Sequence, residues 1–374
     1  MRIVHILSGS SGRINPQIVK FFLDYVALID GRIGEQVFYL FQKYELISER
    51  GKQDYGSLID NNASIHFVNP TKFNILRTFL KFRRDDIVVL HSGRLTRLWF
   101  ILMLLPWLWD RIAMICWGCD IGNFIGYSES RAFSGRFLHQ IQSCIVPKLR
   151  AVCTLTPGEF PRIRSIFRNC DNYLNVFYST ISPEEGIAEY PEDKKKTDVT
   201  RVVVNHAASP HGNHEEVYGW LSEYKDEQLQ VLSILSSGPS TEASRIAQLG
   251  SDIFKDKYST LSEILPYVEY VKFFDEYDIL VMNYKVQAGL GITKIFLSKG
   301  KPVYLRSESP VFEMLKGMGI EVRDTNSIPS LSYDDFTRPL SRETIENNAR
   351  ILSQKLSLES SLMSWKRLFV RMAK

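Results

Sequence analysis

The stretch Ser182–Asp198, SPEEGIAEYPEDKKKTD, divides the chain into two regions of similar pattern. It is charged, carries two prolines and lacks the apolar periodicity of a helix or strand, as is typical of a linker between domains. On both sides of it, short β-branched runs alternate with amphipathic stretches. Because that alternation is typical of a parallel sheet wrapped by helices, its recurrence predicts two such domains.

We predict a first domain over residues 1–181, a linker over 182–199 and a second domain over 200–340. Two helices over 341–374 are predicted to pack back toward the first domain. The length of 374 residues exceeds what one hydrophobic core usually serves, and 44% apolar residues can fill two. The fold class that fits is α/β of the GT-B type, in which two Rossmann-like, doubly wound domains face a cleft. Epimerases also use this architecture, so the fold alone does not give the chemistry.

Composition and motifs argue against several classes of function. A formal net charge of +4 is too small to indicate nucleic-acid binding. The five cysteines are an odd number within apolar segments, which indicates reduced thiols rather than disulfides. Cys116 and Cys119 form a single CxxC, and no D-x-D motif follows a predicted strand, so we expect no metal and no cofactor. The loop Ser8–Arg13 has G-x-x-G where a dinucleotide site needs G-x-G-x-x-G.

Two loops of the second domain are predicted to bind an anionic donor. Each follows a predicted strand and leads into a helix, whose N-terminus presents free amides to a diphosphate. The predicted donor-binding residues are Asn205, Ser209, Asn213, Asn283, Tyr284, Gln287, Gly289, Gly291 and Thr293. Two alternatives stay open, namely that Ser209 or Asn213 is a plain N-cap and that the glycines only allow tight helix packing.

In the first domain, His91 and Asp120 follow two predicted strands at their carboxyl edge. Either residue is suited to take the proton of an acceptor hydroxyl, and either could equally cap or orient its loop. Small residues after the first strand let a substrate approach the backbone, and arginines are suited to an acceptor's phosphates. The predicted acceptor-binding residues are Gly9, Ser10, Arg94 and Arg131.

The longest apolar run, Leu98–Trp109, has twelve residues, fewer than the roughly 20 that a membrane-spanning helix needs. Two interpretations of it stay open. It is a buried helix of an α/β domain, or it is an interfacial anchor, because it contains three tryptophans and is flanked by arginines.

Taken together, these loops resemble the TDP-4-acetamido-4,6-dideoxygalactose (Fuc4NAc) transferases of enterobacterial common antigen synthesis. The resemblance runs through most of the chain and rests on the order and spacing of short pieces. These pieces are His5–Leu7 with Asn15 and Val19–Asp24, His91–Gly93 with Leu98 and Trp99, Trp117–Asp120, Asn213–Glu215, Gln287–Ile292 and Gly300–Val303.

The resemblance implies a GT-B glycosyltransferase with a TDP-sugar donor and an undecaprenyl-diphosphate-linked glycan acceptor. It also implies a peripheral place on the cytoplasmic face of the bacterial inner membrane. The sequence departs from the family at Arg306–Phe312, where the family has Asn before Pro and an aromatic residue directly after it. A related O-antigen glycosyltransferase of lipopolysaccharide biosynthesis, using another 4-amino-4,6-dideoxyhexose, is therefore a second possibility. A sugar-nucleotide epimerase and a non-catalytic nucleotide-sugar or glycan-binding protein are the alternatives.

Overall fold

A computed structural model of the chain describes residues 2–8, 14–26, 29, 34–42, 52, 55–56, 58, 64–179 and 199–373. The predicted acceptor residues Gly9 and Ser10 and nearly all of the predicted linker lie outside these residues. The chain forms two compact units, the first comprising Met1–Thr180 with Leu358–Lys374 and the second comprising Ile181–Ser357.

Each unit is built on one parallel sheet. In the described residues, the strand order is β3-β2-β1-β4-β5-β6-β7 in the first unit and β10-β9-β8-β11-β12-β13 in the second. The order reverses beside β1 and beside β8, which is the doubly wound pattern. The strands are β1 Ile3–Ser8, β2 Gln36–Phe41, β3 Ile65–Phe67, β4 Ile87–Leu90, β5 Ile112–Cys116, β6 Ala151–Thr154, β7 Tyr173–Asn175, β8 Thr200–Val204, β9 Leu229–Ile234, β10 Tyr258–Leu261, β11 Ile279–Met282, β12 Val303–Leu305 and β13 Arg323–Asp324.

Helices connect the strands and cover both faces of each sheet. Every residue of β4, β5 and β11 is buried, as expected for central strands of a sheet covered on both faces. The helices whose bounds the structure gives are α1 Ile14–Asp24, α2 Lys72–Phe79, α3 Thr96–Met103, α4 Gly118–Ser128, α5 Phe133–Ile145, α6 Phe160–Ile166, α7 His214–Leu221, α8 Ser240–Phe254, α9 Tyr267–Phe273, α10 Leu290–Ser298, α11 Pro310–Met318, α12 Tyr333–Thr337, α13 Arg342–Lys355 and α14 Leu358–Met372.

The two C-terminal helices divide between the units. Trp365 of α14 is fully buried in the core that α1 forms with the first sheet, and its indole N–H donates to the Phe177 carbonyl at 3.1 Å. By contrast, α13 packs against α10 within the second unit. This arrangement differs from the predicted one, in which both helices over 341–374 pack toward the first domain.

The sequence pattern over Leu261–Phe274 predicts a single helix, and the helix in the structure is shorter. Leu261 instead ends strand β10, which pairs in parallel with β9, and α9 begins only at Tyr267. Pro266 accounts for the boundary, because a proline disfavours the helical conformation of the residue before it. The short strands β7 and β13 contain no apolar β-branched run, so their sequences do not predict strands.

Candidate functional site

A cavity of about 560 Å³ lies at the carboxyl edge of the second sheet. The loops after β8, β11 and β12 line it together with α7 and α8. The strand order reverses between β8 and β11, and open parallel sheets bind ligands at such a switch point. Six of its lining side chains are charged: Glu215, Glu216, Glu242, Arg245, Lys285 and Arg306.

Amide side chains brace the switch point. The Oδ1 of Asn205 accepts from the Asn283 backbone N–H at 3.0 Å, and its Nδ2 donates to the Gly212 carbonyl at 2.8 Å. The Nδ2 of Asn213 donates to the Asn283 carbonyl at 2.9 Å. Asn205 and Asn213 have φ values of 60° and 48°, a region that asparagine tolerates better than most residues. The ends of β8 and β11 are thereby held in one arrangement.

A second set of polar contacts extends this brace to β12 and β13. The Nδ2 of Asn283 donates to Glu216 at 2.8 Å, while its Oδ1 accepts from Arg306 at 3.2 Å and from Thr325 at 2.9 Å. Arg306 also contacts the Glu216 carboxylate at 2.5 Å. The predicted donor residues Asn205 and Asn283 are thus fully buried and bonded within the protein, whereas Asn213 lines the cavity.

The glycine loop before α10 has a conformation that favours glycine. Gly289 has a φ of +62°, and a Cβ atom there would collide with the Met282 methyl group. No acidic residue and no side-chain cap occupies the first turn of α10. Thr293 lies in that turn, fully buried, and its hydroxyl has no partner among the described residues. The N-terminus of α10 therefore presents its amides without a competing anion.

The N-terminus of α7 differs electrostatically from that of α10. Its first turn carries Glu215 and Glu216, which already complement the positive end of the helix dipole and oppose a bound anion. Ser209 accepts from the His211 backbone N–H at 3.3 Å and caps the short turn before α7, as one open alternative expected. Asn213 precedes α7 without a capping hydrogen bond from its side chain.

Two further predicted donor residues are largely enclosed. Tyr284 is buried, and its hydroxyl donates to the Ala207 carbonyl at 3.2 Å. Gln287 is buried in the loop that ends at Gly289, while Gly291 lies half-buried in the first turn of α10. Within this loop the side chain of Lys285 lines the cavity, whereas Tyr284 and Gln287 are enclosed beside it.

In the first unit, Asp120 ties the loop after β4 to the loop after β5. Its Oδ1 accepts from the Ser92 hydroxyl at 2.8 Å and from the Gly93 N–H at 3.2 Å, and its Oδ2 accepts from the Trp117 N–H at 2.9 Å. Burial raises the pKa of Asp120 to about 6, against the lowering effect of these hydrogen bonds. The Trp117 indole donates to the His91 carbonyl at 2.9 Å, so the two predicted catalytic residues lie in adjoining loops.

His91 belongs to a buried chain of hydrogen bonds. Gln36 donates to the Phe22 carbonyl at 3.0 Å, so its oxygen accepts from His5 Nε2 at 3.2 Å. His5 Nδ1 then accepts from His91 Nε2 at 2.9 Å, and His91 Nδ1 accepts from the Tyr178 hydroxyl at 2.6 Å. Burial lowers the pKa of His5 to about 3 and that of His91 well below its ordinary value, which keeps both rings neutral. Both nitrogens of His91 are therefore used inside the protein.

The predicted acceptor residues Arg94 and Arg131 are exposed on the first unit. The apolar run Leu98–Trp109 forms α3 and the turn after it, and six of its twelve residues are buried. The buried residues of α3 fit the buried-helix interpretation. Four of its residues are exposed, namely Met103, Leu104, Pro106 and Trp107. No helix within the described ranges combines the length and apolarity needed to cross a bilayer.

Sequence reasoning missed several charged residues of the cavity. Arg306 directly follows β12 at the same sheet edge, and the rule that located Asn283 would have found it. Glu216 belongs to none of the sequence motifs, and only the fold brings it into contact with Arg306. Glu242 and Arg245 lie on a helix, where their spacing is the ordinary one of an exposed ion pair.

Several solved structures share this fold. Anabaena HepE in complex with UDP and glucose aligns with a TM-score of 0.67 and 10% identity over 99% of both chains. A glycosyltransferase from Rickettsia africae aligns with a TM-score of 0.65 and 12% identity over 99% of this chain and 97% of that one. The alpha,alpha-trehalose-phosphate synthase (UDP-forming) from Burkholderia vietnamiensis gives a TM-score of 0.60 and 10% identity over 100% and 99%.

No protein-family model matches the chain, and no curated protein matches it by sequence. The structural likenesses show an α/β fold of the GT-B type, with two Rossmann-like domains, which confirms the predicted fold class. At identities of 12% or less they leave the activity to be argued from the site itself.

Proposed function

We propose that the protein is a glycosyltransferase whose second unit holds a nucleotide-sugar donor. One observation carries the proposal, namely the N-terminus of α10 at the switch-point edge of a GT-B sheet, free of acids and preceded by Gly289. Lys285 and Arg306 line the adjoining cavity, so amides and cations together suit a diphosphate. HepE, which shares the fold, was solved with UDP and glucose, and this supports a nucleotide-sugar donor.

For the donor and acceptor we propose a TDP-linked 4-amino- or 4-acetamido-4,6-dideoxyhexose and an undecaprenyl-diphosphate-linked saccharide of cell-surface polysaccharide synthesis. Support comes from the resemblance to the Fuc4NAc transferases, because two of its pieces, Asn213–Glu215 and Gln287–Ile292, lie at or beside the cavity. The direct donor contacts that we propose are those of Asn213, Gln287, Gly289, Gly291 and Thr293. Backbone amides, rather than a metal ion, would stabilise the leaving diphosphate.

On the first unit we propose that Asp120 takes the proton of the acceptor hydroxyl. Its pKa of about 6 is near the operating pH, as a general base requires. His91 is less suited to this role, because each of its nitrogens can make one hydrogen bond and both are used, by His5 and Tyr178. The Oδ2 of Asp120 accepts one hydrogen bond, from Trp117, and can accept a second. We propose that His91 instead orients its own loop and that Arg94 and Arg131 meet the acceptor's phosphates.

An exposed apolar surface on the first unit supports a lipid-linked acceptor. Several large apolar side chains of α2, α3, α5 and their turns are exposed, and we call this set the apolar face: Phe73, Leu80, Met103, Leu104, Trp107, Phe133 and Phe137. The ring centroids of Phe100 and Phe137 are 6.2 Å apart, and the Lys72 ammonium lies 5.2 Å from the Phe100 centroid, which links the three helices. Residues 69–148 contain eleven Lys and Arg against five Asp and Glu. Apolar side chains among cations suit an anionic membrane surface, here the cytoplasmic face of the bacterial inner membrane.

The test is release of nucleoside diphosphate from a TDP-sugar, with and without a polyprenyl-diphosphate-linked saccharide in detergent. A glycosyltransferase releases TDP at an appreciable rate only when both substrates are present. A sugar-nucleotide epimerase would convert the donor without lipid, and a binding protein would bind the donor without releasing TDP. Either of these two results would overturn the proposed function.

A further inference from the structure

The cavity of the second unit is electrostatically divided. On the side of β11 and β12 it has Lys285 and Arg306, and Arg306 is paired with Glu216. The loop that carries Lys285 leads into the acid-free N-terminus of α10. On the side of β8 and β9 it has the carboxylates of Glu215 and Glu242, with Arg245 between them. A phosphate group carries only acceptors and negative charge, so the carboxylate side repels it and the α10 side attracts it.

His214 is an unusual member of the carboxylate side. Its side chain lines the cavity wall and only 2% of it is exposed, yet neither ring nitrogen has a partner among the described residues. Buried polar groups in native proteins are almost always hydrogen-bonded. The ring of His214 is therefore suited to hydrogen-bond a ligand bound in the cavity. Burial lowers the pKa of His214 to about 4, which makes the ring neutral near pH 7.

The position of this ring depends on Gly212. A Cβ atom on Gly212 would stand 2.9 Å from the Cε1 and 3.1 Å from the Nδ1 of His214. The same atom would stand 3.0 Å from the Nδ2 of Asn205, which braces the switch point. The imidazole edge is therefore held against a backbone that leaves no room for a side chain.

The groups around His214 match hydroxyl groups. Arg245 is fixed by Glu242 through two hydrogen bonds of 3.0 and 3.1 Å, and it lies 3.5 Å from Glu215. Carboxylate oxygens accept hydrogen bonds, the guanidinium donates them, and a neutral imidazole does one of each. A sugar hydroxyl also donates and accepts, so a polyol satisfies this set of groups and a phosphate does not.

We infer that His214, Glu242 and Arg245 form the subsite for the hydroxyl-bearing sugar of the donor, and that His214 contributes to sugar specificity. The inference rests on the proposed function, since it assigns one half of the donor cavity. The diphosphate then occupies the α10 side, and the transferred sugar extends toward α8.

The subsite is tested by comparing nucleotides with nucleotide sugars. We would measure the affinities of TDP, TDP-glucose, UDP and UDP-glucose for the full chain by calorimetry. Glu242→Gln and His214→Leu should each lower the affinity for the preferred nucleotide sugar by about tenfold or more, which corresponds to one lost hydrogen bond. The affinity for the matching nucleoside diphosphate should change by less than about threefold. Glu321→Gln, which alters an ion pair with Lys316 away from the cavity, is the matched control.

A readout on the ligand-free protein separates recognition from folding. Because the His214 ring is unpartnered, His214→Leu should leave the melting temperature of the ligand-free protein unchanged or higher. Equal losses for nucleoside diphosphate and nucleotide sugar would place the ribose or the phosphates at this subsite and overturn the inference. Unchanged affinities would also overturn it. If the unmodified chain binds none of the four probes, the proposed function itself fails, and the inference fails with it.

Discussion

Arg306 lies 2.5 Å from the Glu216 carboxylate and joins the end of β12 to the first turn of α7. The arginine is mostly buried, and its guanidinium also donates to Asn283 at 3.2 Å. Asn283 in turn is held by Asn205 across the switch point. The ion pair is therefore one part of a connected polar network that shapes the donor cavity.

Breaking this ion pair should lower both the stability of the fold and the affinity for the donor. Arg306→Ala leaves Glu216 and the Asn283 oxygen without their shared donor, so we expect a loss of about 1–3 kcal/mol in the free energy of unfolding. Urea denaturation measures it. Arg338→Ala, which removes an exposed pair with Asp335, should cost about 0.5 kcal/mol or less. Similar losses in the two variants would contradict the role given to the network.

The loop before α10 should not tolerate a side chain at Gly289. Gly289→Ala forces alanine to a φ of +62° and pushes a methyl group into Met282, so we expect about 1–3 kcal/mol of destabilisation and weaker nucleotide binding. Gly317→Ala is the matched control, since nothing lies within 4 Å of its added Cβ. It should be neutral or stabilising by up to about 1 kcal/mol. Normal nucleotide binding by Gly289→Ala would argue against a donor at this loop.

Acid should reveal the buried histidines of the second unit. Burial lowers the pKa of His206 and His214 to about 4, from an ordinary value of 6.5. Between these two pH values the unfolded chain binds protons that the folded chain does not, so their contribution to stability falls as the pH falls. Asp120, whose pKa is raised to about 6 from 3.8, acts in the opposite direction over its own range.

Comparing how the melting temperatures of two proteins depend on pH separates the contribution of His214 from that of the other titrating groups. The melting temperature of His214→Leu, relative to the unmodified chain, should rise as the pH is lowered from 6.5 toward 4. Its measurement needs only thermal denaturation at several pH values. If the melting temperatures of the two proteins changed in parallel with pH, the premise that His214 is buried in its neutral form would be wrong.

The apolar face should bind membranes. Leu104→Glu combined with Phe133→Glu places two charges on exposed positions, so it should abolish flotation with vesicles that contain anionic lipid and leave the fold intact. Met363→Glu is the matched control, because Met363 is an exposed apolar residue of α14 outside the apolar face. Flotation of the double variant at the level of the control would exclude this face as the docking surface.

Asp120→Asn should separate proton transfer from donor binding. Loss of a general base lowers kcat by about 10²–10⁴-fold, and donor affinity should stay unchanged, because Asp120 lies in the first unit. Ser92→Ala removes one hydrogen bond to Asp120 and controls for loosening of the loop. Turnover within a few-fold of normal in Asp120→Asn would remove Asp120 from the role of base.

The fold was predictable from the sequence because its signal is local. Each central strand is a short apolar run such as Ile279–Met282, and the alternation with helices recurs after the linker. The loops at the carboxyl edge follow from strand position alone, which is how Asn213 and Gly289 were predicted. These residues needed no knowledge of distant parts of the chain.

The rest of the site could not be predicted, because it depends on contacts between distant segments. Glu216 meets Arg306 across 90 residues of sequence, and Asn205 meets Asn283 across 78. Whether a side-chain amide at a strand end faces a ligand or a neighbouring strand depends on the distant residue that it meets in the fold. Which residues of the apolar run Leu98–Trp109 are buried also depends on the folded structure, since α3 buries Trp99 and exposes Met103.

The most direct test of the central claim is a thermal-shift screen of the full chain against TDP-, UDP- and GDP-sugars. A ligand that binds only the folded state raises the melting temperature, by an amount set by its concentration relative to Kd. We predict that TDP-sugars raise it in the unmodified chain and raise it less in Gly289→Ala. No shift with any of these nucleotide sugars would contradict a donor site in the second unit.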